Sequence, residues 1–445
     1  MSKKTKKRPK IIYRFQATKE INPHFYQVWK TSQPYNILKG GRNSFKSSVI
    51  SLMLVFMMIS QIRKGNIANI AILRKVASHI RDSVFKQIEW AIDKMGLSDQ
   101  FKSSVTPFKI THKKSGSAFY FYGQDDVQKL KGNAVDNFVA VWYEESTEFD
   151  GKEDFDQNFA TFARQKSPHV DHMKFFWSYN PPRNPYNWMN EWVEELRERP
   201  DYLIHESSYL DDALGFTEQQ VLDEIQRIKE NDYDYYRYLY LGEPVGLGTN
   251  VYNFELFKKI KEVPAGEHIM SISYGLDTGH QQSATALVCV GMTNKGNVIV
   301  LDTAYYDPSD KARKLAPDEI AHMIHKFETR TSKQYGRGVY KRTIDSAEGA
   351  IRNQYYKDYD IRWNPVNKKK QVTMVENVVT LLAQGRVYYL DTPGNKVFED
   401  QHKNYRWDEK TIRSDNPKAI EVDDHVPDAF KYFVNDNLRE LDLIF

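Results

Sequence analysis

The nine residues Gly40-Gly41-Arg42-Asn43-Ser44-Phe45-Lys46-Ser47-Ser48 constrain this chain more than any other stretch. They follow the apolar run Tyr35 to Leu38 and lead into a long apolar segment, so the expected order is strand, glycine turn, lysine, hydroxyl, helix. That order turns backbone N–H groups and a helix N-terminus toward a phosphate chain, with Lys46 on the β/γ-phosphates and Ser47 on Mg²⁺. Phe45 stands where the pattern G-x-x-x-x-G-K-[ST] has its second glycine. The plain alternative is a glycine turn capping a buried helix.

A chain of 445 residues has room for two or three domains with full cores. Downstream of the loop, short β-rich runs at Ile67–Leu73, Ala118–Tyr122, Phe138–Tyr143, Phe175–Ser178 and Tyr202–Ile204 alternate with helix-like segments such as Ser78–Met95 and Asn187–Glu198. This alternation predicts an α/β fold with a largely parallel sheet. A helical, Tyr-rich segment, Glu218–Leu239, then gives way to the turn residues Gly242 to Gly248. The expected division is a basic tail at 1–10, an α/β domain at 11–243, a linker at 244–257 and a second domain at 258–445. In the second domain three strands (Met270–Leu276, Ala284–Gly291, Val298–Ala304) precede the first helix, Pro317–Phe327. Strands at Arg342–Ile344, Ile361–Trp363 and Arg386–Leu390 and helices at Val372–Ala383 and about Val426–Leu438 complete it. A β-meander leading into α/β units is the ribonuclease H-like arrangement.

Charge and cysteine usage exclude several classes. Of the net charge of +4, six units come from Lys3, Lys4, Lys6, Lys7, Arg8 and Lys10, so the rest of the chain carries −2. Affinity for nucleic acid must therefore come from patches, and the tail is either a solvated arm or a DNA contact. The single cysteine, Cys289, rules out a disulfide framework or a cysteine-built zinc site and points to a reducing compartment. The apolar run Val49–Ile59 is too short to cross a bilayer, and the basic N-terminus lacks the apolar stretch of a signal peptide.

A second signal lies in Asn137-Phe138-Val139-Ala140-Val141-Trp142-Tyr143-Glu144-Glu145, an apolar strand delivering two carboxylates at its C-terminal end, where open α/β sheets keep their ligands. Glu144 is assigned to the Mg²⁺ shell and Glu145 to the attacking water of nucleotide hydrolysis; solvated acids at a strand end are the alternative. Arg42 either neutralises a γ-phosphate or is a plain surface arginine, and Arg164 is either an arginine finger for a neighbouring subunit or a helix-surface charge. Ser178-Tyr179-Asn180 is placed either to sense the γ-phosphate or simply to close a strand before Pro181. Tyr35 or Gln33, just upstream of the loop, could contact adenine.

A third signal combines Asp277 and Asp345, each ending an apolar strand, with Asp428 at the start of the last helix. Two acids from strands and one from a helix can hold two divalent ions about 4 Å apart and clamp the attacking and leaving oxygens of a phosphodiester. Taken singly, each aspartate also suits a turn or a helix N-terminus. His425 is a ligand, a general base, a phosphate contact or the residue that orients Asp428, and Asp424 a further ligand or an N-cap. Lys368-Lys369-Lys370 is a DNA-backbone contact or a solvated charge run.

Together these residues resemble the large terminase subunit of tailed bacteriophages and related prophages over nearly the full length. The carriers, in the family's order, are Gly40-Gly41-Arg42 with Lys46-Ser47, Trp142-Tyr143-Glu144-Glu145, Ser178-Tyr179-Asn180-Pro181-Pro182, Tyr240-Leu241-Gly242-Glu243, Gly275-Leu276-Asp277 and Asp424-His425-Val426-Pro427-Asp428-Ala429. The resemblance implies a P-loop ATPase domain of RecA/ASCE type followed by a ribonuclease H-like nuclease domain. It implies ATP with Mg²⁺ at the first site, two Mg²⁺ or Mn²⁺ at the second, and packaging of double-stranded viral DNA into procapsids with cleavage of the concatemer. The implied partners are DNA, a small terminase subunit and the portal, on which several copies assemble, with no membrane. The implied location is the cytoplasm of the infected or lysogenic bacterial host and not the mature virion. Carried over, Lys46 and Ser47 fall on the phosphate and Mg²⁺ positions, Glu144 and Glu145 on the second acidic motif, and Asp277, Asp345 and Asp428 on the nuclease metal triad. The competing readings are a helicase-nuclease of repair or restriction and a DNA-binding scaffold with degenerate sites.

Overall fold

A computed structural model describes residues 15–124, 135–185, 187–279, 283–309, 311, 313–414 and 416–443. The basic tail at 1–10 lies outside the described residues. Residues cluster into two compact units, one reaching Ile225 and adding Tyr236–Val245, the other made of Gln226–Tyr235 and the chain from Gly246 onward. Residues Gln226–Tyr235 group with the second unit through hydrogen bonds: Asn231 Nδ2 donates to Leu382 O and Ala383 O (3.1 and 2.9 Å), and Tyr235 OH meets Thr380 Oγ1 at 2.5 Å.

The first unit is built on an eight-stranded sheet. Its strands are β1 (Tyr35–Gly40), β2 (Asn69–Arg74), β3 (Phe101–Val105), β4 (Phe108–His112), β5 (Ala118–Gly123), β6 (Phe138–Glu144), β7 (Lys174–Tyr179) and β8 (Tyr202–Ser207), in spatial order β3-β4-β5-β2-β6-β7-β1-β8. From β5 to β8 every pairing is parallel. Continuous apolar runs form these strands because both faces are covered. Leu38, Ile70 and Ile72 join one core cluster while Ile37, Ala71 and Leu73 join the other. The helix Lys46–Arg63 packs its buried stretch Val49–Val55 into the first cluster. At 18 residues it is long and apolar enough to span a membrane, beyond what the run Val49–Ile59 suggested, yet half of it is buried as a core helix.

Sequence reading missed the hairpin β3–β4, whose strands are mostly polar and half-exposed. The single helix expected at Ser78–Met95 is instead a 3₁₀ turn (Ala77–His79), a π-turn (Arg81–Phe85) and an α-helix (Lys86–Lys94).

The second unit holds a seven-stranded sheet of β9 (Lys258–Ile260), β10 (Ile269–Thr278), β11 (Thr285–Thr293), β12 (Val298–Tyr306), β13 (Val339–Ile344), β14 (Asn364–Pro365) and β15 (Val387–Leu390), in order β14-β13-β10-β11-β12-β15-β9. The meander β10-β11-β12 is antiparallel, and β13 and β15 add parallel on its two sides. The strand expected at Ile361–Trp363 is not formed. Trp363 is buried as a core residue, and the chain pairs only at the next two residues, β14. The final helix, His425–Asp436, lies on β10 at Gly275, where a Cβ would come within 2.1 Å of Ala429 O. Only glycine permits that approach, and it brings the helix start beside the end of β10.

Two candidate active sites

In the first unit β7 runs between the loop strand β1 and the acid-bearing strand β6. All three deliver their C-terminal ends to one place, with Leu38 and Glu144 both in register with Ser178. Trp142 Nε1 donates to Ser178 Oγ at 2.9 Å and ties β6 to β7 just below the site.

The loop itself answers the question raised by Phe45. Its backbone is left-handed (φ 63°), the conformation in which glycine is favoured, and Asn43 (φ 58°) shares it. The ring turns into the core cluster and meets Phe216 edge-on at 6.1 Å. The loop therefore keeps its turn at the cost of local strain, as functional sites often do. Gly41 N donates to Ser207 O (3.2 Å) and Arg42 N to Leu239 O (2.8 Å). A Cβ on Gly41 would come within 2.0 Å of Tyr240 O, and one on Gly242 within 2.7 Å of Gly41 N. The motif Tyr240-Leu241-Gly242-Glu243 is thus a backbone brace for the loop.

Lys46 is buried, and its ammonium lies 2.9 Å from Gly40 O, 3.1 Å from Gly41 O, 2.9 Å from Ser44 Oγ and 2.9 Å from Asn180 Oδ1. Burial pulls its pKa down to about 8 against the opposing charges of Glu145 and Glu144. Asn180 is therefore joined to the buried lysine of the loop. Ser47, second in its helix, is half-buried beside it.

Glu144 ends β6 almost fully buried. Burial and then the Glu145 charge push its pKa up, opposed by Arg74. Arg74 Nη1 pairs with Glu144 Oε2, while Nη2 reaches Glu148 Oε1 and Oε2 at 3.2 and 3.1 Å. Glu145 follows with a left-handed backbone (φ 51°), which turns the chain after the strand. Its pKa is also raised by burial, and Arg74, Lys46 and Arg42 act against the shift. Arg42 thus belongs to the site's charge balance. Arg164 is exposed at the end of the helix Lys152–Arg164.

Sequence reading missed Arg74. It ends β2 opposite β6, as the register Leu73 with Tyr143 shows. Its signal, a charge closing the apolar run Ile70–Leu73, acquires meaning only once the strand order is known. Tyr35 stacks on Tyr202 at 4.7 Å and Gln33 donates to Pro200 O and Tyr202 O. Both sit at the far end of β1 from the loop, roughly 16 Å away at about 3.3 Å per residue.

In the second unit a cleft of about 450 Å³ is lined by Asp277, Asp345, Asp428, His425, Asp424 and Lys431, among others. The triad read from sequence is thus brought together. His425 Nδ1 lies 2.6 Å from Asp277 Oδ2, and its Nε2 is 2.6 Å from Ser283 Oγ, so it orients Asp277 rather than Asp428. Burial raises the pKa of Asp277 to about 6, partly offset by His425. Desolvation lowers the His425 pKa, but the hydrogen bond and charge of Asp277, together with the charges of Asp424 and Asp428, leave it raised. Asp345 accepts from Lys368 Nζ (2.7 Å), Tyr432 OH (2.9 Å) and Ala347 N (2.9 Å), and these donors hold its carboxyl below the usual range despite burial. Asp428 Oδ1 accepts from Lys431 Nζ (2.6 Å) and Tyr405 OH (2.9 Å), and Tyr432 OH is 3.4 Å from its other oxygen.

Asp424 occupies the N-cap position of the last helix without a side-chain cap hydrogen bond and faces the cleft. Of the three lysines at 368–370, Lys368 binds Asp345 directly. Tyr405, Lys431 and Tyr432 were not foreseen. Lys431 and Tyr432 lie one helical turn beyond Asp428, the only trace of them in the sequence.

Carboxylate oxygens of this kind suit a hard divalent ion such as Mg²⁺ or Mn²⁺. Among the described residues no group of three or more His, Cys, Asp or Glu side chains is set to hold a metal as it stands. His425, Lys368, Lys431, Tyr405 and Tyr432 are bonded to oxygens of the three aspartates.

Fold and sites define a class: a P-loop α/β unit followed by a ribonuclease H-like unit in one chain. Residues 32–243 match the family described as phage terminase large subunit, and residues 277–436 match the terminase RNAseH like domain. The chain belongs to the phage terminase large subunit family. It is 28% identical over 278 residues to the terminase large subunit of Bacillus phage SPP1, covering 61% of this chain and 64% of that protein. To the PBSX phage terminase large subunit of Bacillus subtilis it is 24% identical over 332 residues, covering 69% and 72%. The large terminase of a thermophilic bacteriophage shares the fold with a TM-score of 0.73 at 19% identity, covering 94% of this chain and 99% of that one. Structures of that thermophilic-phage protein are described with ADP and with ATP-gamma-S.

Proposed function

We propose that this chain is the ATP-driven motor and DNA-cutting subunit that packages double-stranded viral DNA into procapsids. The observation that carries the reading is the presence of two separate acid sites in one chain, one built around a phosphate loop and one around three convergent aspartates. Residues 11–243 are the ATPase domain, 244–257 the linker and 258–445 the nuclease domain. In the first, the loop N–H groups and Lys46 would hold the phosphates, and Ser47 and Glu144 would hold Mg²⁺. Glu145 polarises the attacking water and Arg42 counters charge on the γ-phosphate. Asn180, bonded to Lys46, reports the γ-phosphate state. The nucleotides described with the thermophilic-phage terminase support ATP as the fuel.

In the second site Asp277, Asp345 and Asp428 would hold two Mg²⁺ or Mn²⁺, with Asp424 beside them. Bound ions supply Lewis acidity toward the phosphodiester. His425 fixes the Asp277 carboxylate, while Lys368 and Lys431 balance the negative charge of the cleft. Family membership supports DNA, a small terminase subunit and the portal as partners, with several copies on the portal. It also supports action in the cytoplasm of the infected or lysogenic host rather than in the mature virion.

Two variants test the division. Lys46→Ala lowers ATP hydrolysis about 10²-fold or more, the usual loss when one positioned donor is removed, and leaves plasmid cleavage in Mn²⁺ unchanged. Asp345→Asn abolishes cleavage and leaves phosphate release unchanged. Loss of both activities in either variant, or of neither, would overturn the reading.

A further inference from the structure

On its outer side β13 is paired only at Thr343 and Ile344, where it meets β14. Among the described residues no strand pairs with residues 339–342 on that side, and the chain just before β14, where the sequence predicts a strand, stays unpaired. A cavity of about 510 Å³ has Val339, Arg342 and Ile361 in its walls. We propose that this stretch of β13 is a docking site for an extended, acidic peptide segment of another protein, added as a short strand ahead of β14.

Backbone is the first argument. A strand edge without a neighbour presents N–H and C=O groups in a row, and an extended peptide satisfies them by strand addition. The pairing of Thr343 with Asn364 sets a register whose continuation would put residues 361–363 opposite 340–342. Instead Trp363 is buried in the core and Arg362 lies over the Tyr356 ring at 4.7 Å. The open stretch is short, and its register on β10 shifts between Val339 and Lys341. A short, bulged edge resists sheet-to-sheet association yet admits one short segment.

Charge is the second argument. One wall is a stripe of the helix Pro317–Tyr335 that includes Glu328, Ser332 and Lys333. With Arg337 and Arg342 the cavity carries three fixed cations, Lys333 among them, against the single carboxylate of Glu328. Glu328 is 3% exposed and accepts from Arg342 Nε at 2.9 Å, so it is withdrawn from a ligand. Lys333 is exposed, and Arg337 Nε donates to Ile269 O at 2.6 Å, a bond that leaves the guanidinium charge uncancelled. Acidic side chains at alternate positions of an added strand would all face one way, toward these cations. A nucleic-acid backbone would match the charge but has no peptide groups to pair with the edge. The cavity lies at the start of β13, whereas Asp345 follows its end, roughly 20 Å along at about 3.3 Å per residue, so this surface is distinct from the aspartate cleft.

The test selects short randomised peptides on the full chain and measures the tightest by calorimetry. The selected sequences are expected to carry Asp or Glu at alternate positions. Lys333→Glu, a change at an exposed residue that spares the core, weakens their binding about threefold or more. N-methylation of one alternate set of the peptide's amides abolishes binding and of the other set does not, because only one side of an added strand faces β13. The bound peptide also slows hydrogen exchange at the β13 amides ahead of Thr343. A selection that returns no acidic sequences, or binding that Lys333→Glu and both methylations leave unchanged, overturns the proposal. Duplex DNA binding weakened by Lys333→Glu with no peptide selected assigns the surface to nucleic acid instead. Self-association abolished by the same variant with no peptide selected assigns it to a second copy of this chain, and either result overturns the proposal.

Discussion

The two acid sites solve the same electrostatic problem in opposite ways. In the first unit, Glu144 is enclosed at the end of a central strand and neutralised by one buried arginine from the neighbouring strand. In the second, four acids open on a cleft and their cations arrive from separate segments, Lys368 before one helix and Lys431 within another. An enclosed carboxylate must keep a cationic partner, whether Arg74 or a bound cation, since solvent cannot replace it. One that opens on a cleft can exchange protein cations for other ligands. The first arrangement suits a fixed fulcrum and the second a site that must admit a charged backbone.

That contrast is open to direct attack. The largest effect is expected for Arg74→Met, which strands Glu144 and costs about 3–5 kcal/mol, seen as a lowered first melting transition in calorimetry. Adding Glu144→Gln restores most of it. A melting point unmoved by Arg74→Met would mean that Glu144 is not enclosed as described. Lys431→Met is expected to cost less, about 1–2 kcal/mol, because Asp428 is left facing a hydrated cleft, but it impairs plasmid cleavage. Equal destabilisation by the two variants would erase the distinction between the sites.

A separate effect concerns acid. His402 is fully buried in the second unit among Phe398, Tyr252, Phe257 and Phe430, and burial lowers its pKa to about 3. Its unfolded value is about 6.5. Neutral His402 therefore contributes its full stability above about pH 6.5, and the contribution is lost progressively as pH falls toward its folded value. In His402→Phe the second unit's melting temperature falls less steeply between about pH 6.5 and 4. An unchanged slope would place the acid sensitivity elsewhere.

What was legible in the sequence follows from how each feature is encoded. The loop, the strands β1, β2, β6 and β7 and the meander could be read because burial on both faces writes itself as continuous apolar runs. Asp277, Asp345 and Asp428 could be read because each ends or begins an element. Arg74, Tyr405 and Lys431 could not, since their roles depend on which strands and segments become neighbours. The hairpin β3–β4 was missed because Lys102, Ser103, Ser104, Lys109, Thr111 and His112 break up the apolar runs that reveal the other strands. Phe45 was visible as a departure, but its left-handed backbone was not, and that backbone is what makes the departure tolerable.

The brace between the loop and the turn at Gly242 has a mechanical meaning. Main chain rests on main chain there, with no room for a Cβ at Gly41 or Gly242. Side-chain contacts have slack, because a rotamer can absorb a shift of a few tenths of an ångström. A joint made only of peptide groups has almost none, so the loop and the segment Tyr236–Val245 hold each other in place. Adding even one methyl group at Gly41 would drive the two main chains apart, because its Cβ would lie 2.0 Å from Tyr240 O.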